Sequence, residues 1–122
     1  MQTRDQKYAA DAFTKVSKMK GKEREYYENY GSMAHKLPVL IRTAGLAQGL
    51  AFVEARGKEA HKQLLVDLSA TIGYNSKTEL LSQSRQTDLS EYIYLTKQVL
   101  DALLWYKRFA QSVLDVDASM GE

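Results

Sequence analysis

Apolar residues recur at helical spacing through nearly the whole sequence, and the 122-residue chain contains a single proline, Pro38. Because proline interrupts both helices and central strands, its rarity leaves long segments free to form regular structure. These segments are rich in Ala, Leu, Lys, Gln and Glu, and few of them alternate apolar and polar residues as strands do. The pattern predicts an all-α protein, a single-domain compact bundle of about five to six helices over residues 1–122.

Local signals place the ends of the outer helices. Thr3 stands three residues before Gln6, which is the spacing of a capping box at a helix start. Gly21 is a suitable end for this first helix, and Gly57 marks a break in the middle of the chain. Thr87 or Asp88 is a suitable start for the last helix, which we expect to run to about residue 115. The buried face predicted for the first helix comprises Ala9, Ala12, Phe13, Val16 and Met19.

The longest apolar stretch runs from Leu37 to Val53 and is apolar nearly all round a helical wheel. We therefore expect one central, most buried helix here, which follows a bend at Gly31 and begins or kinks at Pro38. The stretch is too short for a membrane span, and Arg42 within it would cost several kcal/mol in lipid. The sequence thus predicts no contact with a membrane.

The stretch WYKRFA, residues 105–110, mixes aromatic and basic side chains as nucleic-acid-binding surfaces do. On the helical wheel Tyr106 and Phe109 point inward, at the margin of a stripe that is centred on Leu89, Ile93, Leu100, Leu103, Ala110 and Leu114 and widened by Leu95, Val99 and Val113. Lys107 falls in the middle of that stripe, so it must extend to solvent, pair with a carboxylate or mark a contact with another chain.

Trp105 and Arg108 fall outside this stripe, on the same side of the helix as Tyr94. Trp and Arg are enriched at protein interfaces, so we treat Trp105 and Tyr94 as candidates for contacts with another protein. The alternative is that the segment of residues 74–87 covers Trp105 within the chain.

Residues that could perform catalysis are widely scattered in the sequence. The chain has no cysteine, and its two histidines, His35 and His61, are expected at surface or capping positions in different helical segments. Glu23, Glu25 and Glu28 are more typical of a solvated helix face than of an acid–base pair. We therefore expect a binding or scaffolding protein of the cytoplasm without catalytic residues, metal or cofactor.

Positive charge is concentrated in the first half of the chain. Residues 1–62 carry 12 Lys or Arg and 7 Asp or Glu, whereas residues 63–122 carry 5 and 8, so the formal charges are +5 and −3. Such asymmetry favours binding to an anion or head-to-tail attraction between copies, although chance variation among solvated helix faces is an equally good explanation.

A basic ridge within the first half is the strongest functional signal. Lys15, Lys18 and Lys22 continue a helical row that begins with Arg4 and Lys7, and Lys20 and Arg24 lie beside it. A one-sided row of this kind suits a phosphate backbone. Lysines also collect at helix C-termini because they oppose the helix dipole, but this row is longer than that effect requires.

Three stretches, DQKYAADAFTKV, YGSMAHKLPVLIRTAGLAQGLAFV and YIYLTKQVLDALLWYKRFA, give the sequence a family resemblance. In this order they resemble the small subunit of the Cmr complex, the type III-B CRISPR RNA-guided effector of antiviral defence. The resemblance implies an all-α subunit without catalytic activity that stacks in several copies along other Cmr subunits and contacts guide RNA and target RNA. Basic residues would contact the RNA backbone without reading sequence, and the candidates are Lys15, Lys18, Lys22, Arg24, Arg42, Lys107 and Arg108. A helical adaptor that binds only protein remains the alternative.

Overall fold

The computed structural model describes residues 1–121, and helices account for most of them. Its elements are α1 (Arg4–Lys18), a 3-10 turn (Met19–Gly21), α2 (Arg24–Ala44), α3 (Leu46–Arg56), α4 (Glu59–Thr71), α5 (Lys77–Gln86) and α6 (Leu89–Ser112). The prediction of an all-α bundle of five to six helices is confirmed.

The cap signals in the sequence are used as expected. The Thr3 hydroxyl accepts from the backbone N–H of Gln6, while the Gln6 side chain accepts from the backbone N–H of Thr3. Asp88 caps α6 by accepting from the backbone N–H of Glu91 at 3.1 Å. Gly57 ends α3 with a φ of 72°, a left-handed conformation that glycine adopts readily.

Helices α1, α2 and α6 pack side by side, and their relative directions determine which helix ends lie together. Arg4 pairs with Asp101, and Phe13 packs edge-on against Phe109 at 5.3 Å between ring centroids. Residue numbers rise together along the two helices, so α1 and α6 run in the same direction. Helix α2 runs the opposite way, because Gly31 near its start faces Ala110 near the end of α6. One end of the bundle therefore holds the C-termini of α1 and α6 and the N-terminus of α2.

The centre of the chain differs from the prediction. Helix α2 runs through Gly31 and Pro38 without ending, and the helix breaks instead at Gly45, so the predicted single helix over residues 37–53 is wrong. Proline removes the hydrogen bond to the carbonyl four residues earlier. The helix nevertheless continues because Leu37, Pro38 and Ile41 are all buried by neighbouring helices.

Gly45 separates α2 from α3 with a φ of 95° and a ψ of 162°, a region that is almost restricted to glycine. We predict that Gly45→Ala lowers the free energy of unfolding by about 1–3 kcal/mol, because alanine is strained in this conformation and its Cβ would lie 3.3 Å from the Tyr92 hydroxyl. Helix propensity alone would give the opposite sign, a gain of about 1 kcal/mol. Urea denaturation of the two proteins distinguishes these outcomes, and an unchanged or raised midpoint would contradict the prediction.

The buried face of α6 also differs from the predicted stripe. Leu103, Tyr106 and Ala110 are fully buried as expected, but Leu89 and Ile93 are 74% and 60% exposed. The buried face is shifted toward one margin of the predicted stripe and comprises Leu95, Val99, Ala102, Leu103, Tyr106 and Ala110. Lys107 lies on the same exposed face as Leu89 and Ile93, and its side chain is exposed as well.

The buried face predicted for α1 also differs at one position. Phe13, predicted to be buried, is 50% exposed and packs at the edge of the core.

A buried polar network links four helices. The Tyr30 hydroxyl on α2 donates to the Asp67 carboxylate on α4 at 2.7 Å, and the Gln63 amide donates to the other carboxylate oxygen at 2.8 Å. Burial raises the pKa of Asp67 above its usual value, although these two hydrogen bonds oppose the shift. Because the folded-state pKa is raised, this residue's contribution to stability is present at acidic pH and is lost as pH rises through that pKa.

A second group of polar side chains continues the network to α1 and α6. Thr71 donates to the Asp11 carboxylate, so its hydroxyl accepts from that of Tyr106 at 2.6 Å. Burial raises the pKa of the Tyr106 phenol, which therefore remains protonated. His61 on α4 is fully buried, so its predicted place at the surface is wrong. The hydroxyls of Tyr30, Thr71 and Tyr106 thus join α4 to α2, α1 and α6.

Candidate RNA-contacting surface

Basic side chains gather where α1 and α6 end and α2 begins. Lys18 is the last residue of α1, Lys20 lies in the 3-10 turn and Lys22 follows it, and all three are exposed. Lys20 lines one cleft with Val113 and Leu114, the residues that follow α6. We call this surface the basic end and define it by Lys18, Lys20, Lys22, Arg24, Lys107 and Arg108.

The helix directions explain why these residues meet. Helices α1 and α6 present their C-terminal carbonyl groups at the same end, and cations there are stabilised by the helix dipoles. The 3-10 turn interrupts the helical row predicted from Arg4 to Lys22, so Lys22 lies on an extended residue with ψ near 167° and not on α1. The predicted basic ridge is therefore not one continuous helical row. It is formed by the C-terminus of α1 and the connection from α1 to α2.

Two of the predicted cations are held by carboxylates of their own helix. Lys15 is half-buried and its ammonium lies 2.6 Å from the Asp11 carboxylate, which ties it to the buried network. The Arg24 Nε lies 3.1 Å from the Glu28 carboxylate, although the Arg24 side chain is 80% exposed. The structure thus leaves Arg24 accessible and gives Lys15 a partner within the fold.

Lys107 and Arg108 line an open groove of about 480 Å³ on the outer side of α6, together with His35, Leu104, Gln111 and Ser112. His35 Nε2 donates to the Val116 carbonyl at 2.8 Å, which fixes the chain after α6 against α2. The groove is open and its two cations are exposed. It therefore offers positive charge to an extended anion along one side of the basic end.

Arg42 is exposed but lies at the opposite end of α2. With a rise of about 1.5 Å per residue, it is about 27 Å along the helix axis from Arg24. Arg42 therefore does not belong to the basic end.

Acidic side chains limit the positive field on one side of the basic end. Glu23 and Glu25 are exposed at the start of α2 and line a cleft of about 200 Å³ with Lys58 and Glu59. Within residues 1–121, three or more His, Asp or Glu side chains nowhere come together as a group that could hold a metal ion. In the same residues, no helix combines the length and apolar character needed to cross a bilayer.

Trp105 and Tyr94 both contact the first turn of α1. The Trp105 indole N–H donates to the Asp5 carboxylate at 2.9 Å, and its ring stacks on Phe109 with centroids 5.7 Å apart. The element that half-covers Trp105 is thus α1 and not the segment of residues 74–87. Tyr94 is 56% exposed and its hydroxyl accepts from Arg4 at 3.5 Å.

The exposed row of α6 is a surface that the sequence reasoning missed. Leu89 and Ile93 share a helical stripe with Leu100 and Lys107, and the charge of Lys107 is the one sign in the sequence that this stripe faces solvent. On the helical wheel Leu95, Val99 and Tyr106 lie only at the margin of the predicted stripe, although they belong to the buried face of α6.

Comparisons with known proteins agree with one another. The family model of the CRISPR-associated protein Cas_Cmr5 matches residues 4–113. The CRISPR system Cmr subunit Cmr5 of Thermus thermophilus is 48% identical over 116 residues, which cover 94% of this chain and 99% of that protein. The crystal structure of a CRISPR-associated Cmr5 family protein from Thermus thermophilus superposes with a TM-score of 0.85 at 47% identity, and covers 93% of this chain and 99% of that chain.

Proposed function

The chain belongs to the Cmr5 family of CRISPR-associated proteins, and from that premise we propose that it is a non-catalytic small subunit of a type III-B CRISPR (Cmr) effector. In this proposal it stacks in several copies along other Cmr subunits in the cytoplasm, as one domain spanning residues 1–122. It contacts the backbones of guide RNA and target RNA and so serves antiviral defence.

The basic end is the observation that supports contact with RNA. Lys18, Lys20 and Lys22 are exposed on one connection, and the open groove at Lys107 and Arg108 lies on the helix that ends beside it. Lysine ammonium groups on flexible stems neutralise phosphates without selecting bases. The contact is therefore expected to be salt-sensitive and independent of RNA sequence.

A second candidate function is a protein adaptor without direct RNA contact. The exposed apolar side chains of Leu89, Ile93 and Leu104 along α6 favour it, because solvent-facing apolar rows commonly mark protein interfaces. The two functions differ in what the basic residues contact, which is RNA phosphate in one case and acidic side chains of a partner protein in the other.

The experiment compares Cmr effectors reconstituted with and without this subunit. We expect the effector that contains it to bind target RNA more tightly at low salt and to lose affinity more steeply as salt rises, because each phosphate contact adds about 0.7–0.9 to the logarithmic salt slope. Binding is measured by fluorescence anisotropy over about 50 to 200 mM salt with two unrelated guide–target pairs. Equal affinities and equal slopes for the two effectors would support the adaptor function and refute the RNA contact.

A further inference from the structure

Three aromatic side chains form a cluster at the surface between α1 and α6. Phe13 of α1 packs edge-on against Phe109 of α6 with 5.3 Å between ring centroids, and Trp105 stacks on Phe109 at 5.7 Å. We call these three residues the aromatic cluster. Phe13 is 50% exposed, while Trp105 and Phe109 are half-buried. The chain itself therefore covers this aromatic surface only in part.

The aromatic cluster is held in place from one side, and its outermost ring is left accessible. The indole N–H of Trp105 donates to the Asp5 carboxylate at 2.9 Å, which fixes the indole relative to α1. The residues four positions before and after Phe13 on α1 are Ala9 and Ser17, and such short side chains shield little of its ring. A ligand therefore meets aromatic rings that need little rearrangement, which lowers the cost of binding.

Arg108 connects the aromatic cluster to the open groove on the outer side of α6. It follows Leu104 by four residues and Trp105 by three, so it lies beside both on the helix surface, with Cβ atoms about 5–6 Å apart. Leu104, Lys107 and Arg108 line the groove, and both cations are exposed. Positive charge and an aromatic surface thus lie side by side on one helix.

We propose that the aromatic cluster stacks with an unpaired nucleobase of an RNA strand whose phosphates lie in the groove at Lys107 and Arg108. A single-stranded nucleotide presents a flat base next to a charged phosphate, and proteins bind it with aromatic rings beside cations. An apolar protein surface would use the rings but not the adjacent cations, whereas a nucleotide uses both. Stacking tolerates any sequence because every base has a π-face. The inference deepens the proposed function, on which it rests for the presence of RNA.

Three variants of the full chain test the stacking. Phe13→Leu removes the ring but keeps an apolar side chain, and Phe13→Tyr keeps the ring. Phe52→Leu on α3 is the matched control, because Phe52 is 44% exposed and has the Arg56 guanidinium 5.7 Å from its ring centroid, but lines the groove between α2 and α3. Both positions are exposed, so the variants are expected to fold, which circular dichroism and urea denaturation verify.

Trp105 is the only tryptophan in the chain, so tryptophan fluorescence reports directly on the aromatic cluster. The isolated chain is titrated at about 50 mM salt with a short single-stranded oligomer of 5-bromouridine, whose bromine quenches indole fluorescence on contact. End-labelled oligouridine and an abasic analogue of the same length, which has the same charge and no bases, are compared by fluorescence anisotropy.

We expect the brominated oligomer to quench Trp105. The abasic analogue is expected to bind about 5- to 150-fold more weakly than oligouridine, which is the range for the stacking of one base. Phe13→Leu should weaken the binding of oligouridine by a similar factor and leave the binding of the abasic analogue unchanged. Phe13→Tyr and Phe52→Leu should bind oligouridine like the wild type, because both keep the ring at position 13.

Other outcomes would overturn the inference. Equal binding of oligouridine and the abasic analogue, or no quenching of Trp105, would show that the chain contacts phosphates alone, and the proposed function would stand without base stacking. The absence of binding to either oligomer at about 1 mM protein would also refute the stacking, while the comparison of effectors with and without the subunit decides on the proposed function separately. A Phe13→Leu chain that binds oligouridine normally but no longer enters the effector would identify the cluster as a contact with another protein.

Discussion

Replacing Lys18, Lys20 and Lys22 with glutamate is expected to weaken RNA binding by the assembled effector by about 40-fold or more at about 50 mM salt. Three phosphate contacts contribute about 0.9 each to the logarithmic salt slope on a duplex, which corresponds to about 40-fold in affinity between 200 and 50 mM salt. Reversed charges add repulsion to the lost contacts. The loss should be equal for unrelated RNA sequences, because backbone contacts carry no base information.

Lys15 and Arg24 are left unchanged in this variant. The Lys15 ammonium pairs with Asp11, and Arg24 pairs with Glu28, so a glutamate at either position would place two carboxylates side by side. The three substituted lysines are exposed, where single changes usually alter stability by less than about 0.5 kcal/mol. A loss of binding can then be attributed to the surface and not to unfolding.

The matched control reverses three exposed cations away from the basic end, Lys7, Arg56 and Arg85. The net charge changes by the same amount in both variants, so a general electrostatic effect would weaken them equally. If both variants bind RNA alike, or if the lysine variant keeps the affinity and salt slope of the wild type, Lys18, Lys20 and Lys22 do not contact RNA. Separate reversal of Lys107 with Arg108, and of Arg42, then locates the contact.

The fold could be predicted wherever a short-range signal determines the structure. Thr3, Gly57 and Asp88 mark helix ends through hydrogen bonds and dihedral angles that involve only neighbouring residues. The break at Gly45 could not be predicted in this way, because Pro38 is the stronger local signal for a helix end. Pro38 remains inside α2 because the surrounding helices bury it, and that burial depends on contacts with residues distant in the sequence.

The candidate site, too, could be predicted only where its residues are close to one another in the sequence. Lys18, Lys20 and Lys22 are close in sequence, so their clustering follows from the sequence alone. That Lys107 and Arg108 lie at the same end of the bundle depends on the parallel packing of α1 and α6, which contacts such as Phe13 with Phe109 establish. A helical wheel gives the angle of each side chain about one axis but not the direction of the neighbouring helix, so it cannot tell which margin of the α6 stripe faces the core.

Substitution of Leu103 by alanine is expected to lower the free energy of unfolding by about 2–5 kcal/mol. Leu103 is fully buried on α6 beside Tyr106 and Ala110. Its removal loses the transfer free energy of the side chain and leaves a cavity that neighbouring helices fill only in part. A domain of this size is typically stable by about 5–15 kcal/mol, so the change is a large share of the total.

Leu89→Ala is the matched control, because the same atoms are removed from the same helix at a position that is 74% exposed. We expect its unfolding free energy to stay within about 0.5 kcal/mol of the wild type, measured by urea denaturation at a concentration where the chain is monomeric. The predicted inward stripe places Leu89 in the core with Leu103, so it requires a loss of similar size in both variants. Equal losses in the two variants would restore that stripe and place Leu89 in the core. A large loss at Leu103 alone would show that α6 stabilises the bundle through the row that contains Leu103, Tyr106 and Ala110 and leaves Leu89 exposed to solvent.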